Sequence, residues 1–163
     1  MEDRATRLLA LATNQGLKIA TAESCTGGLI AAAITEVPGS SAIFDRGMVL
    51  YANGAKESML GVSNQSLTEY GAVSTEVAAE MADGLLRRSD ADLALGATGI
   101  AGPGGSDFKP EGRVCFALAR IGKATETAQF DFGPLGRNGV RQAAVAQALD
   151  MLIAAILDDE VAS

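Results

Sequence analysis

A strand-like run, Leu17-Lys18-Ile19-Ala20, passes through Thr21-Ala22-Glu23-Ser24-Cys25-Thr26-Gly27-Gly28 into an apolar, helix-like run from Leu29 to Ile34. A strand that feeds a helix belongs to a layered α/β domain, and the rest of the chain keeps the alternation. Ala5, Leu8, Leu9 and Ala12 share a helical face that Gly16 can end, and Leu17 to Ala22 then reads as a buried strand. Phe44 to Tyr51 reads as a second strand, with Tyr51-Ala52-Asn53-Gly54-Ala55-Lys56 at its end. Ser66-Leu67-Thr68-Glu69 has capping-box spacing for a short helix. Ser74 can cap a longer one, with Val77, Met81 and Leu85 on one face and a stop near Arg88. Leu93 to Ala97 is an apolar strand. Gly112 to Leu118 and Ala124 to Phe132 are two more, joined around Ile121-Gly122-Lys123, which makes part of the sheet antiparallel. A last helix runs from about Asn138 to Leu157. The expectation is one α/β domain over residues 1–163 with a mixed, largely parallel sheet.

The Thr21 to Gly28 junction also carries chemistry. It holds two nucleophiles, Ser24 and Cys25, beside glycines that let a ligand approach the backbone, and free N–H groups at a helix start can hold an anion or a developing oxyanion. The chain has no histidine. Ser/His/Asp and Cys/His arrangements are therefore excluded, and a hydrolase built here takes a lysine, a carboxylate or a tyrosine as its base. There are four lysines: Lys18 at the mouth of a buried strand, Lys56 past the second strand, Lys109 in a polar loop and Lys123 in a turn. Only Lys56 and Lys109 lie in segments able to reach a common site. Partial burial can keep enough of a lysine neutral for it to act as a base. Tyr51 could relay a proton or orient that amine; its plainer reading is a rim aromatic whose hydroxyl meets water. A second glycine-rich loop, Thr98-Gly99-Ile100-Ala101-Gly102-Pro103-Gly104-Gly105, follows the strand from Leu93, and ligands in α/β sheets collect at such strand ends. A flexible crossover is its plain alternative, as an ordinary capped helix start is for the Ser24 segment and a solvated surface lysine for Lys56.

The 13 Lys plus Arg against 20 Asp plus Glu give a net charge of −7 with the basic residues scattered, which argues against nucleic acid as a partner. Two cysteines, Cys25 and Cys115, do not make a disulfide scaffold and fit a reducing compartment. The N-terminal apolar run, Leu8 to Ala12, is too short and has too acidic a lead for a secretory signal, and nothing in the chain approaches the length of a membrane span. A cytoplasmic protein with no membrane partner is expected.

Five motifs appear in an order and spacing that resemble the CinA carboxy-terminal domain family: Ala22-Glu23-Ser24-Cys25-Thr26-Gly27-Gly28, Tyr51-Ala52-Asn53 followed by Lys56, Gly71-Ala72-Val73-Ser74, Thr98-Gly99-Ile100-Ala101-Gly102-Pro103, and Lys109-Pro110 followed by Gly112. The resemblance covers about Leu8 to Leu152 and implies a three-layer α/β/α domain. It also implies a nicotinamide-nucleotide amidohydrolase activity, the hydrolysis of nicotinamide mononucleotide to nicotinate mononucleotide and ammonia in pyridine nucleotide salvage. No metal or cofactor is implied. Carried onto this chain, Ser24 attacks the carboxamide carbon, Lys56 takes its proton and returns it to the leaving ammonia, and Tyr51 assists. Cys25, Thr26, Gly27 and Gly28 then supply oxyanion donors and substrate contacts, Thr98, Gly99, Ile100, Ala101 and Gly102 shape the nucleotide pocket, and Lys109 lies near the site without an assigned role. Gly136-Arg137-Asn138 followed by Arg141 resembles the family's Gly-Asp-Arg segment, with Asn138 and the preceding Pro134-Leu135 as departures. Arg137 and Arg141 are the candidates for the ribose phosphate, a solvated first helical turn being the alternative. A homo-oligomer is expected. Two rival readings stay open: a non-catalytic nucleotide-binding or partner domain that retains the pocket, and, ranked lower, a cysteine hydrolase using Cys25.

Overall fold

Small side chains set how closely the layers of this protein meet. Residues along a strand point alternately to opposite faces. In β1 (Ile19–Glu23), β3 (Leu93–Gly99) and β4 (Arg113–Arg120) the large members of each pair share one face. Ile19, Leu93, Leu95, Val114, Phe116 and Leu118 build a core there with α1 (Glu2–Gln15), α2 (Leu29–Thr35) and α6 (Gly136–Ala162). Ala20, Ala22, Ala94, Ala117 and Ala119 face the other way, against α5 (Thr75–Arg87). A Cβ on Gly96 would come within 2.7 Å of the Ala78 carbonyl oxygen, so α5 rides close to the sheet where side chains are smallest. With α3 (Asn53–Leu60) and α4 (Asn64–Glu69) on that same side, the chain is a three-layer α/β/α domain. The computed structural model describes residues 1–162; Ser163, the last residue of the expected domain, lies outside the described residues.

The sheet order is β2-β1-β3-β4-β5, with β2 at Phe44–Val49 and β5 at Glu126–Asp131. β1 pairs in parallel with both β2 and β3, whereas β4 is antiparallel to both β3 and β5. β4 alone is reversed, yet the pairings divide evenly, so the sheet is less parallel than expected. The hairpin through Ile121–Lys123 accounts for one antiparallel pair, as expected; the other arises because β4 returns beside β3 in the opposite direction, a long-range pairing with no local signal.

Caps explain where the helices stop and start. Gly16, at φ 66, ends α1, and Ser74 Oγ accepts from the Val77 N–H at 3.2 Å to open α5. The cap of α4 is Ser63, which accepts from the Ser66 N–H at 3.1 Å; the capping box expected from Ser66 sits one turn too late. Lys56 was expected beyond a strand and instead lies inside α3. That helix opens at Ala52, which has no side chain to cap it, so its start carries no sequence signal. In α6, the stretch Gly136–Asp159 is long and apolar enough in composition to cross a membrane, contrary to the sequence expectation. Its apolar residues serve the core: Val140, Ala144, Leu149, Leu152 and Ile156 are buried against the sheet side of the domain.

Candidate active site

Parallel pairing brings three loops to one edge of the sheet. Glu23 at the end of β1 is in register with Val49 of β2 and Ala97 of β3, so Ser24, Leu50 and Thr98 follow at the same level, with Tyr51 one residue beyond. The Ser24 N–H donates to the Ala97 carbonyl at 2.9 Å and the Leu50 N–H to the Glu23 carbonyl at 2.8 Å, extending both ladders by one step. Beyond that point the three chains diverge and leave a cavity of about 210 Å³. It is lined by Ser24, Cys25, Tyr51, Asn53, Lys56, Ala72, Val73, Thr98, Gly99, Ala101 and Arg137.

Glu23 shapes the nucleophile loop. Its buried carboxylate accepts from the Thr21 hydroxyl at 3.2 Å, the Thr26 hydroxyl at 2.7 Å, and the N–H groups of Ile30 and Ala31 at 2.8 and 2.9 Å. A carboxylate that ties the end of β1 to the start of α2 holds the connecting turn tightly, with Gly27 at φ 60 and Gly28 at φ 101 making the left-handed step. The start of α2 is consequently occupied by Glu23 and does not offer its N–H groups to an anion, as the sequence had suggested. The donors left are earlier: the N–H groups of Cys25 and Thr26 give to no oxygen among the described residues and lie beside the Cys25 sulfur. Sequence reasoning quoted Glu23 only as part of a motif; nothing in the chain shows that its partners lie seven and eight residues ahead.

Ser24 is 8% exposed and Lys56 1% exposed. Lys56 Nζ donates to the Tyr51 carbonyl at 3.3 Å, pairs with no carboxylate among the described residues, and makes no hydrogen bond to Ser24 Oγ. Burial lowers its pKa, with the neighbouring Cys25 acting weakly in the opposite sense. Burial pushes the Cys25 thiol up to about 11; Glu23 adds to the rise, while the adjacent N–H groups and Arg141 oppose it. A thiol held there is a poor nucleophile near neutrality, which weighs against the cysteine reading. Tyr51 is 62% exposed, on the cavity rim, and its hydroxyl oxygen accepts from Arg137 Nη2 at 2.7 Å.

The remaining expected residues divide. Arg137 lines the cavity and also donates to the Gly102 carbonyl at 2.8 Å, tying the second glycine-rich loop to the Tyr51 rim. Thr98, Gly99 and Ala101 line the cavity as well, and a Cβ on Gly99 would approach the Cys25 sulfur to 3.1 Å. Arg141 does not line it: its guanidinium donates to the carbonyls of Cys25 and Thr26, both at 3.2 Å, bracing the nucleophile loop from behind. Ile100 and Lys109 line a neighbouring cavity of about 580 Å³ instead. Asn53, Ala72 and Val73 line the Ser24 cavity without having been singled out; their signal was membership of two motifs whose role the spacing does not reveal. No cluster of His, Cys, Asp or Glu able to hold a metal occurs among the described residues.

The CinA C-terminal domain family model matches residues 1–156. A CinA-like protein of Chlorobium phaeobacteroides is 53% identical over 126 residues, 74% of this chain and 30% of its own length. A putative competence-damage inducible protein of Symbiobacterium thermophilum is 50% identical over 160 residues, 90% of this chain and 35% of its own. The chain thus spans about a third of the length of these curated relatives. Among solved structures, the competence/damage inducible protein CihA of Agrobacterium tumefaciens superposes with a TM-score of 0.91 at 50% identity, over 94% of this chain and 93% of that one. A CinA superfamily protein of Escherichia coli superposes at 0.88 with 39% identity, over 93% and 88%. With the family model spanning nearly the whole chain and the same fold in relatives of this identity, the chain belongs to the CinA C-terminal domain family.

Proposed function

We propose that this chain is a serine amidohydrolase that converts nicotinamide mononucleotide into nicotinate mononucleotide and ammonia. The supporting observation is the buried Lys56, without a carboxylate partner among the described residues, on the same cavity as Ser24. A lysine kept for stability would be ion-paired or would reach water; one buried on the same cavity as a hydroxyl is suited to give up its proton. In the reaction, Ser24 Oγ adds to the carboxamide carbon while its proton passes to Lys56 Nζ. The carbonyl oxygen becomes an oxyanion facing the N–H groups of Cys25 and Thr26. Collapse breaks the C–N bond, and the departing nitrogen takes the proton from Lys56 and leaves as ammonia. Water, deprotonated by the same amine, then cleaves the acyl ester, yielding the carboxylate and restoring Ser24. Tyr51, whose oxygen is occupied by Arg137, keeps its own proton available as a donor to the substrate. Arg137 is the phosphate contact favoured by position, since Arg141 is engaged with the nucleophile loop.

The test is ammonia release from nicotinamide mononucleotide without added metal, compared with nicotinamide and its riboside. Turnover of the mononucleotide, lost by about 10³-fold or more in Ser24→Ala and in Lys56→Arg and retained in Cys25→Ala, is the expected result. An active Ser24→Ala paired with an inactive Cys25→Ala would transfer the nucleophile to the thiol.

A further inference from the structure

The segment Tyr70-Gly71-Ala72-Val73 is a wall between two cavities. Ala72 and Val73 line the Ser24–Lys56 cavity and also the larger one, which Lys109 lines with them. The wall lies outside regular secondary structure, so its carbonyls need partners from elsewhere. Each has one from a side chain. Lys109 Nζ donates to the carbonyls of Tyr70 and Val73, Ser74 Oγ to that of Gly71 at 2.8 Å, and Thr98 Oγ1 to that of Ala72 at 2.8 Å. Gly71 has φ 80, a left-handed conformation that favours glycine, and a Cβ there would stand 3.1 Å from the Lys109 ammonium, so wall and cation lie close together. Lys109 forms no ion pair among the described residues. Its own loop is anchored at the base, where the Gly112 N–H donates to the Ile100 carbonyl and the Ser106 N–H to the Lys109 carbonyl, both at 2.9 Å.

We propose that Lys109 is a positioning residue: by joining the β3–β4 loop to the chain that leaves α4, it fixes the Tyr70–Val73 wall and with it the shape of the Ser24–Lys56 cavity. The tie stands on geometry; only its kinetic consequence rests on the amidohydrolase reading. Charged donors make the stronger hydrogen bonds of such a set, so Lys109 dominates the tie. Without it, Ser74 and Thr98 still hold the two middle carbonyls, and the wall loosens while the fold persists. Substrate fit then suffers before the chemical step does.

Lys109→Met and Lys109→Arg in the full chain test this with three measurements: amide hydrogen exchange over residues 70–74, the rate of Cys25 alkylation by iodoacetamide followed on its peptide, and the split between KM and kcat for nicotinamide mononucleotide. In the methionine variant, exchange over the wall speeds up by about tenfold or more, reflecting local opening. Cys25 alkylation accelerates with it, and KM rises about tenfold while kcat stays within about threefold. The arginine variant, which keeps a cation with several N–H donors, recovers most of each effect. Exchange and alkylation at the parent rates in the methionine variant would overturn the tie. A fall in kcat at constant KM would place Lys109 in the chemistry and overturn its positioning role. A parent chain inactive on nicotinamide mononucleotide would overturn the amidohydrolase reading, leaving exchange and alkylation to decide the tie on their own.

Discussion

Lys56 sets two opposing effects against each other. Removing an ammonium from water carries a penalty of several kcal/mol, and one carbonyl contact at 3.3 Å returns only a small part of it. Burial therefore disfavours the charged form and holds the pKa below the ordinary lysine value of 10.5. Between the lowered folded value and 10.5 the unfolded chain holds a proton that the folded chain has lost, so stability rises with pH across that window and the penalty is complete below it. Lys56→Met is accordingly expected to be more stable than the parent at neutral pH, with the gap closing as pH approaches 10.5. Urea unfolding of both proteins across that range measures it; a gap independent of pH would mean that Lys56 is not penalised by burial. On the proposed amidohydrolase reading the same substitution is expected to abolish turnover, so that stability and activity would move in opposite directions at this residue. The sequence marks Lys56 by elimination, because a chain without histidine offers few other bases. It cannot mark Arg141 as a brace or Lys109 as a tie, because both act on carbonyls of segments far away in the chain.

At the scale of elements, α3 and α5 meet through Gly84. A Cβ there would fall 2.1 Å from the Leu60 carbonyl oxygen, at the end of the helix that carries Lys56. Replacing glycine with alanine inside a helix ordinarily gains about 1 kcal/mol. Here a backbone atom stands in the way, and forcing α3 aside costs about 1–3 kcal/mol or more, which outweighs the gain. Gly84→Ala therefore lowers the melting temperature and, because α3 shifts with its lysine, reduces turnover of the folded fraction as well. Thermal unfolding read beside ammonia release separates the two effects, and unchanged turnover would show that α3 holds its place. α5 itself is legible from the sequence, through its Ser74 cap and the spacing of Val77, Met81 and Leu85. α3 is not, because Gly54 weakens its first turn and Ala52 cannot cap it; only Gly61, at φ 73, signals where it stops.

Over the whole molecule, the alternation of strands and helices discloses an α/β domain, and the parallel pairing of β1 with β2 and β3 explains why three separated motifs arrive at one edge. Strand order and the even division of pairings depend on long-range contacts that no local pattern encodes. The far edge of the sheet has its own anchor. Arg120, 9% exposed, donates to the Ala155 carbonyl and pairs with Asp159 and Glu126, and Lys123 joins it on Asp159. Glu126 is well exposed, so solvent screens that arm, and Arg120→Leu is expected to cost about 1–3 kcal/mol, mostly through loss of the buried guanidinium's bonds to the Ala155 carbonyl and Asp159. Turnover should be unchanged, since this anchor lies at the opposite edge from Ser24. A loss of kcat in step with stability would show the two edges to be coupled.

α6 spans that distance. Its first turns carry Arg137 across the cavity mouth and Arg141 behind the nucleophile loop, and near its other end Arg120 grips Ala155. Over 27 residues, about 40 Å at the usual rise, it works as a tie rod pinned at both ends. A rod pinned in this way holds the Arg137 backbone in place, and the guanidinium reaches from it to the Tyr51 hydroxyl and the Gly102 carbonyl. Whatever adjustment this rim makes is then the rotamer of one exposed side chain, a motion of picoseconds to nanoseconds that asks nothing of the helix.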